Sequence, residues 1–366
     1  MRVQARVAAR AAAGLPVFPL HVGQPATGAP APVLAAARAA LDGHTIGYTE
    51  ALGLAPLREA IAGHYARTYG IELDPARVGI TTGSSAAFQY AFLAAFEAGD
   101  TVAVTRPGYP AYRNALLALG CAVELLPCGP EAGYLPSVAA LEALPAPPAG
   151  LVIASPGNPT GTMLAAAVLA EIAAWCAAHG TRLISDEIYH GLSYGAPAAT
   201  ARQFDRSAVV VNSFSKYFSM TGWRIGWMLL PEELYDPVDR LAGNLALCPP
   251  TLSQLAAVAA FESYEELDRN LVRYAANRAY LLDALPAAGL GSFAPPDGAF
   301  YVYIDVSAYT DDSLTWAARL LDDTGVAVAP GVDFDPVDGR GYVRLCFAGD
   351  SSVLREAVDR WGAWLR

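Results

Sequence analysis

The chain has 366 residues, of which 54% are hydrophobic and 16% charged, and its formal net charge at pH 7 is −11. This length exceeds that of a typical single domain and predicts a large and a small domain. The excess of acidic residues argues against a nucleic-acid partner, because binding a phosphate backbone requires clustered basic residues. Pro and Asn interrupt the longest uncharged stretches, so no membrane span is expected.

The cysteines and the N-terminus bear on cellular location. The five cysteines are odd in number and include no Cys-x-x-Cys pair, which favours scattered reduced thiols over a disulfide framework or a metal site. The first residues carry arginines among alanines but no continuous apolar stretch. We therefore expect a cytoplasmic protein without a metal centre.

Short apolar strands alternate with helical stretches along most of the chain. A helix with Leu57, Ile61 and Tyr65 on one face is predicted between Gly53 and Gly70. The predicted strands that follow cover 77–81, 101–105, 121–126, 151–154, 182–185 and 208–212. This alternation predicts an α/β fold with a mostly parallel central sheet and helices on both of its faces.

The pattern changes after Pro249. The elements predicted there are a long helical stretch to about 285, a strand over 298–306, a helix from 313 and a strand over 341–347. This order indicates a smaller α+β domain. We predict a large domain over 40–248 and a small domain formed by 1–39 and 249–366.

The chain contains 24 basic residues, and Lys216 is the single lysine among them. Arginine cannot form an imine because its guanidinium stays protonated, whereas a deprotonated lysine amine condenses with an aldehyde. Lys216 is therefore a candidate nucleophile. The alternative is a lysine left on the surface by chance, and the surroundings must decide.

Several polar residues stand at predicted strand ends, where open α/β sheets bind ligands. Asp186 follows one strand and Lys216 another. Gly83, Ser84 and Ser85 join a strand to a helix, where free N–H groups attract a phosphate. The simpler alternative is that Asp186 and the two serines cap helices and that an Asn-Pro turn explains Asn158.

Three segments carry a resemblance to a known family. Ser155-Pro-Gly-Asn-Pro-Thr-Gly161, Ser185-Asp-Glu-Ile-Tyr189 and the stretch 212–226, Asn-Ser-Phe-Ser-Lys-Tyr-Phe-Ser-Met-Thr-Gly-Trp-Arg-Ile-Gly, resemble the class I/II aminotransferases of pyridoxal 5'-phosphate (PLP) fold type I. The similarity runs from Gly23 to the segment Tyr342-Val-Arg-Leu. It implies an enzyme that moves an α-amino group between an amino acid and a 2-oxo acid.

The resemblance also implies roles around the cofactor ring. Lys216 would hold PLP as a Schiff base and then move a proton at the substrate Cα. Asp186 would pair with the ring nitrogen and keep it protonated. Asn158 and Tyr189 would donate hydrogen bonds to the ring O3′. Tyr109 would stack on the ring, or, as the alternative, would pack locally in its turn.

Further roles concern the phosphate, the substrate and the partner subunit. The residues implied around the phosphate are Gly83, Ser84, Ser85, Ser213, Ser215 and Arg224. Tyr48 would reach the phosphate from the neighbouring subunit, which requires a homodimer. Arg344 would bind the substrate α-carboxylate with Gly23 and Asn158 nearby, its alternative being a structural salt bridge.

The sequence departs from aspartate-type members, which read the side-chain carboxylate with a second cation. In one subgroup this cation is a lysine in the phosphate loop, but here the loop reads Gly83-Ser84-Ser85. We therefore expect neutral amino donors, aliphatic or aromatic, with pyruvate or 2-oxoglutarate as the acceptor, unless an unrecognised arginine supplies the charge.

Two other functional classes use similar residues. PLP-dependent lyases and replacement or cyclising enzymes, such as carbon–sulfur lyases and aminocyclopropane carboxylate synthases, share this constellation. A PLP-sensing transcription regulator would need an additional basic DNA-binding domain, for which this chain has neither the length nor the charge.

Overall fold

The computed structural model describes residues 2–43 and 45–366. Its helices are α1 (Arg2–Ala12), α2 (Ala31–Gly43), α3 (Ala55–Tyr69), α4 (Gly83–Ala95), α5 (Pro110–Ala118), α6 (Val138–Glu142), α7 (Ala166–His179), α8 (Glu232–Leu245), α9 (Thr251–Ala257), α10 (Tyr264–Ala287), α11 (Ser313–Thr324) and α12 (Ser351–Leu365). Its strands are β1 (Phe18–Pro19), β2 (Val78–Thr81), β3 (Thr101–Arg106), β4 (Ala122–Pro127), β5 (Gly150–Ala154), β6 (Arg182–Asp186), β7 (Val209–Ser213), β8 (Gly226–Leu229), β9 (Tyr301–Asp305), β10 (Val326–Ala327), β11 (Ala329–Pro330) and β12 (Tyr342–Cys346).

Seven strands form the central sheet, in the order β2-β8-β7-β6-β5-β3-β4. All neighbours are parallel except β8, which runs antiparallel to both β2 and β7. The sheet separates two apolar clusters: Val210 belongs to one, and Val209 and Val211 to the other. Side chains alternate across a strand, so both faces of the sheet are buried. The predicted α/β fold is confirmed.

The remaining strands, from the N-terminal segment and the last part of the chain, form two smaller sheets. Strands β11, β12 and β9 pair antiparallel in that order, and β1 pairs parallel with β10. The predicted boundary between the two domains stays a prediction, and one apolar cluster spans it, containing both Leu57 and Trp361.

The long helix predicted after Pro249 is interrupted in the structure. Helix α9 ends at Ala257, a 3-10 turn covers Val258–Glu262, and α10 begins at Tyr264. The Ser263 hydroxyl donates a hydrogen bond to the Ala259 carbonyl at 2.9 Å, and the Ser263 N–H donates one to the Ala260 carbonyl at 3.1 Å. A serine that bonds its own preceding turn competes with the helical pattern, which explains the break.

Two further observations concern the described residues. None of their helices combines the length with the apolar character that crossing a bilayer requires. All five cysteines are free thiols, four of them buried.

Candidate active site

Loops at the carboxyl ends of the parallel strands meet around one cavity of about 310 Å³. Asp186 is the last residue of β6, and Tyr109, Asn158 and Lys216 follow β3, β5 and β7. Parallel strands end at the same edge of a sheet, so residues distant in sequence come together there. The lining comprises Gly23, Ser84, Ser85, Phe88, Tyr109, Tyr112, Asn158, Asp186, Ile188, Tyr189, Ser215, Lys216, Thr221, Arg224, Tyr301 and Arg344.

Lys216 presents its amine inside this cavity. Its Nζ donates a hydrogen bond to the Gly23 carbonyl at 2.6 Å and lies 5.7 Å from the centre of the Tyr189 ring. Burial lowers the pKa of Lys216 from 10.5 to about 8, and the nearby positive charge of Arg344 acts in the same direction. A lysine in this state has an appreciable fraction of free amine near neutral pH, which a nucleophile requires.

Asp186 is a buried carboxyl with two hydrogen-bond donors. The Tyr112 hydroxyl donates to Oδ2, and the backbone N–H of Ile188 donates to Oδ1 at 3.0 Å. Burial raises the pKa of Asp186 to about 6, while both hydrogen bonds act in the opposite direction. A cation placed beside this carboxyl would offset the unfavourable burial of its charge.

Arg344 lies on β12 with its guanidinium fixed on several sides. Nη1 donates to Asn158 Oδ1 at 2.8 Å, and Nη2 donates to the His21 carbonyl at 2.7 Å. The Tyr301 and Phe334 rings lie 4.4 and 4.7 Å from the guanidinium carbon. Within residues 2–43 and 45–366, the buried Nε–H finds no acceptor. A planar cation with a spare donor suits a carboxylate ligand.

The hydroxyls of Tyr301 and Tyr189 form a pair in the cavity wall. Their oxygens are 2.8 Å apart, and burial raises the pKa of both phenols. Both therefore remain neutral donors at physiological pH. A Cβ on Gly23 would overlap the Tyr301 hydroxyl, so only glycine lets the backbone approach this ring.

The start of α4 and the loop after β7 form a polar cup. Gly83 opens the helix at a φ of +73°, and an added Cβ there would press on the Arg224 guanidinium. Ser84 and Ser85 occupy the first turn, whose N–H groups have no partner within the helix. Ser215 faces the cavity, while its hydroxyl accepts a hydrogen bond from Ser213 at 2.9 Å. Free N–H groups beside a guanidinium suit a phosphate.

The structure brings together most residues singled out from the sequence, and leaves three apart from the lining. Ser213 lies behind Ser215, and Gly83 lies against Arg224. Tyr48 is 83% exposed and does not line the cavity of its own chain. The lining residues that sequence reasoning missed are Phe88, Tyr112, Ile188, Thr221 and Tyr301. Of these, Tyr112 could have been found, because it stands one helical turn after Tyr109.

Comparisons with known proteins identify the family. The family model "Aminotransferase class I and II" matches residues 16–360. A valine–pyruvate aminotransferase from Mycobacterium tuberculosis is 55% identical, covering 94% of this chain and 90% of the relative. An aspartate/prephenate aminotransferase from Thermus thermophilus is 34% identical, covering 95% and 91%.

Solved structures show the same fold. An aminotransferase from Mycobacterium tuberculosis superimposes with a TM-score of 0.98 at 53% identity, covering all of this chain and 95% of the other. The aspartate aminotransferase of Thermus thermophilus with maleate gives a TM-score of 0.93 at 32% identity, covering 99% and 95%. The chain therefore belongs to the class I and II aminotransferases, which transfer an amino group between an amino acid and a 2-oxo acid.

Proposed function

We propose that this aminotransferase binds PLP in the cavity and holds it through Lys216. The residues fit the cofactor in three respects. The buried amine of Lys216 suits the aldehyde, the buried carboxyl of Asp186 suits a protonated ring nitrogen, and the cup formed by Arg224 and the start of α4 suits the phosphate. The observation that carries the proposal is that the single lysine of the chain lines the same cavity as these groups.

When bound, PLP supplies an aldehyde that condenses with amines and a ring that withdraws electrons from the substrate Cα. Lys216 Nζ, with its lowered pKa, would accept and return the proton at that carbon. Asp186 would hold the proton on the ring nitrogen. Asn158 and Tyr189 would orient the ring hydroxyl, and Tyr109 would cover the ring face.

Arg344 would bind the α-carboxylate of the substrate. The Nη1 and Nη2 groups are already oriented by Asn158 and His21, so little side-chain freedom is lost on binding. Among the described lining residues, the cations are Lys216, Arg224 and Arg344. Each has a role in this scheme, so none is left to read a second carboxylate on the substrate side chain.

We therefore propose a neutral aliphatic amino donor such as valine, with pyruvate as the acceptor. Placing an unpaired side-chain carboxylate in the cavity would cost several kcal/mol, which disfavours aspartate and glutamate. The 55% identical relative is named a valine–pyruvate aminotransferase, which supports this choice. Other relatives near 30% identity carry the names of aspartate and arginine aminotransferases, so the donor must be measured.

The test compares kcat/KM for valine, alanine, phenylalanine, aspartate and glutamate, with pyruvate and 2-oxoglutarate as acceptors. Valine should exceed aspartate by at least about tenfold, or roughly 1.4 kcal/mol. A tenfold preference for aspartate would mean that an arginine reads the side chain. Product analysis by mass, with cysteine added to the panel, also covers the alternative chemistry: a carbon–sulfur lyase would convert cysteine to hydrogen sulfide, pyruvate and ammonia without aminating the 2-oxo acid.

We further propose that two copies of the chain form a homodimer in which Tyr48 of one subunit contacts the phosphate bound by the other. Tyr48 is 83% exposed in the single chain, as expected of a residue whose partner lies on another subunit.

A further inference from the structure

We propose that Arg106 and Phe334 are positioning residues for the substrate clamp: Arg106 anchors the loop 331–339, and Phe334 of that loop supports the Arg344 guanidinium. This inference rests on the proposed role of Arg344 in binding the substrate α-carboxylate. Neither Arg106 nor Phe334 lines the cavity among the described residues. Both would act through Arg344.

The loop 331–339 joins β11 to the segment that leads into β12, the strand of Arg344. Its two ends touch, because an added Cβ on Gly331 or Gly339 would overlap the backbone of the other. The N–H groups of Phe334 and Asp335 both donate to the Gly331 carbonyl at 2.9 Å, and the Gly339 N–H donates to the Asp335 carbonyl at 3.1 Å. These contacts hold the loop together as one compact unit.

Arg106, at the end of β3, ties this loop to the central sheet. Its Nη1 lies 2.6 Å from Asp338 Oδ2 and 3.3 Å from Asp335 Oδ2. The Asp335 side chain is only 5% exposed, and its Oδ1 accepts the N–H groups of Val337 and Asp338 at 2.9 and 3.2 Å. A buried carboxylate held by two N–H groups and a guanidinium has few alternative arrangements.

A backbone hydrogen bond strengthens the same link. The Gly108 N–H donates to the Phe334 carbonyl at 3.0 Å, one residue before Tyr109 enters the cavity. The segment that carries Tyr109 and the loop that carries Phe334 are therefore fixed to one another at two points, this hydrogen bond and the Arg106 ion pairs.

Phe334 transmits this anchoring to Arg344. The centres of the Phe334 and Tyr301 rings lie 4.7 and 4.4 Å from the guanidinium carbon. Asn158 and the His21 carbonyl restrain its nitrogens, and the two rings restrain its tilt. Bidentate carboxylate binding depends on that tilt. Loss of Phe334 or of its anchor should therefore weaken carboxylate binding while leaving the groups that carry out the reaction in place.

The experiment measures KM and kcat with valine and pyruvate for Arg106→Gln, Phe334→Leu and the double variant. It also measures the affinity of 3-methylbutanoate, a non-reacting carboxylate, from the visible spectrum of the holoenzyme. Each single variant should raise KM and this dissociation constant roughly tenfold, the size expected for losing a buried cation–π contact or its anchor. The kcat should stay within about threefold, because the contact serves substrate and transition state alike. PLP content should not change.

Two controls separate positioning from general stability. Arg182→Gln removes a comparable ion pair, with Glu233 at 2.8 Å, at the first residue of β6 and thus at the opposite strand end from the cavity. This variant should leave KM unchanged. Asp338→Asn removes only the 64% exposed partner of Arg106, and should raise KM by about two- to threefold even if Arg106→Gln does not fold.

Three results would overturn the inference: a KM within twofold of wild type in Phe334→Leu or in folded Arg106→Gln, an equal rise in Arg182→Gln, or single effects that multiply in the double variant. Multiplying effects would mean that Arg106 and Phe334 act independently. A wild-type enzyme that binds PLP and transaminates no amino acid would instead contradict the proposed function.

Discussion

At the scale of single residues, Asp186 and Glu187 are adjacent in the sequence, but their surroundings raise the pKa of the two carboxyl groups to different values, about 6 and about 8. Glu187 Oε1 accepts hydrogen bonds from the Ser185 and Thr200 hydroxyls and from the Ala201 N–H, at 3.2, 3.0 and 2.8 Å. Its Oε2 has no hydrogen-bond partner among the described residues. Burial raises the pKa of Glu187 from 4.5 to about 8, so this carboxyl is mostly protonated at pH 7.

This state makes the stability of the PLP-free protein depend on pH. Between pH 4.5 and 8 the folded protein keeps a proton on Glu187 that the unfolded chain has released, so stability falls as pH rises. Glu187→Gln removes this contribution. The free energy of unfolding of the variant, relative to wild type, should therefore increase by up to about 1.4 kcal/mol per pH unit in this window. Urea unfolding at pH 5.5 and 7.5 measures it, with the exposed Glu142→Gln as the control. Parallel curves for wild type and Glu187→Gln would refute the assignment.

The proposed function requires the negative charge of Asp186, in contrast to the protonated Glu187. Asp186→Asn keeps the shape of the side chain and removes the charge that would hold a proton on the ring nitrogen. We expect kcat to fall by about 10²-fold or more, the usual effect of losing such an electrostatic contribution. Tyr112→Phe keeps the carboxylate and removes one hydrogen bond, so its loss should be about tenfold at most. A loss below a few-fold in Asp186→Asn would mean that the carboxylate is only structural.

The sequence revealed residues whose chemistry is rare, and missed those whose role depends on packing. Lys216 stood out as the single lysine, and Asp186 as a charge at a strand end. Tyr301 and Phe334 are ordinary aromatic residues in the sequence, and only the folded chain places both ring centres within 4.7 Å of the Arg344 guanidinium carbon. The protonated state of Glu187 likewise depends on burial in the folded chain, which outweighs the hydrogen bonds that residues 200 and 201 donate to it.

At the scale of elements, the start of α4 can be tested as part of the cup proposed to bind the PLP phosphate. Gly83→Ala would place a methyl group against the Arg224 guanidinium at a φ of +73°. We expect PLP affinity to fall by roughly tenfold or more, because the guanidinium must move and the backbone is strained. Equilibrium dialysis against PLP measures this loss.

Gly180→Ala is the matched control for that variant. Gly180 has a φ of +66° at the end of α7, and an added Cβ there meets no atom within 4 Å. Its backbone strain is similar, so both variants should lose comparable stability, but PLP affinity should fall only in Gly83→Ala. Equal PLP affinity in the two variants would remove Gly83 from the cup.

The elements themselves were largely predictable, since buried strands alternate with helices along the chain. The break between α9 and α10 was not, because it depends on hydrogen bonds of Ser263 rather than on Gly or Pro. Some strands also begin or end at other residues than predicted. Strand β9 begins at Tyr301 rather than at 298 because the Gly298 and Ala299 N–H groups donate to carbonyls of Gly161 and Leu192 outside the sheet.

At the scale of the whole molecule, the proposed homodimer can be tested by subunit mixing. In a hybrid of one Tyr48→Phe subunit and one Lys216→Ala subunit, the site that keeps Lys216 receives the unchanged Tyr48 of its partner if Tyr48 acts across the interface. That site should retain PLP as wild type does, whereas the Tyr48→Phe homodimer should bind PLP roughly tenfold more weakly. Tandem tags isolate the hybrid, and PLP release is followed by absorbance. Release from the hybrid at the rate of the Tyr48→Phe homodimer would place Tyr48 in its own chain's site.

Lys216 is the single lysine of the chain, so its proposed bond to the cofactor can be measured directly. Borohydride treatment of the holoenzyme, followed by proteolysis and mass spectrometry, should attach the cofactor to the one peptide that contains Lys216. The Lys216→Ala variant should bind no PLP covalently and should lose turnover. An unmodified Lys216 in protein that retains bound PLP, or wild-type turnover in Lys216→Ala, would contradict the account.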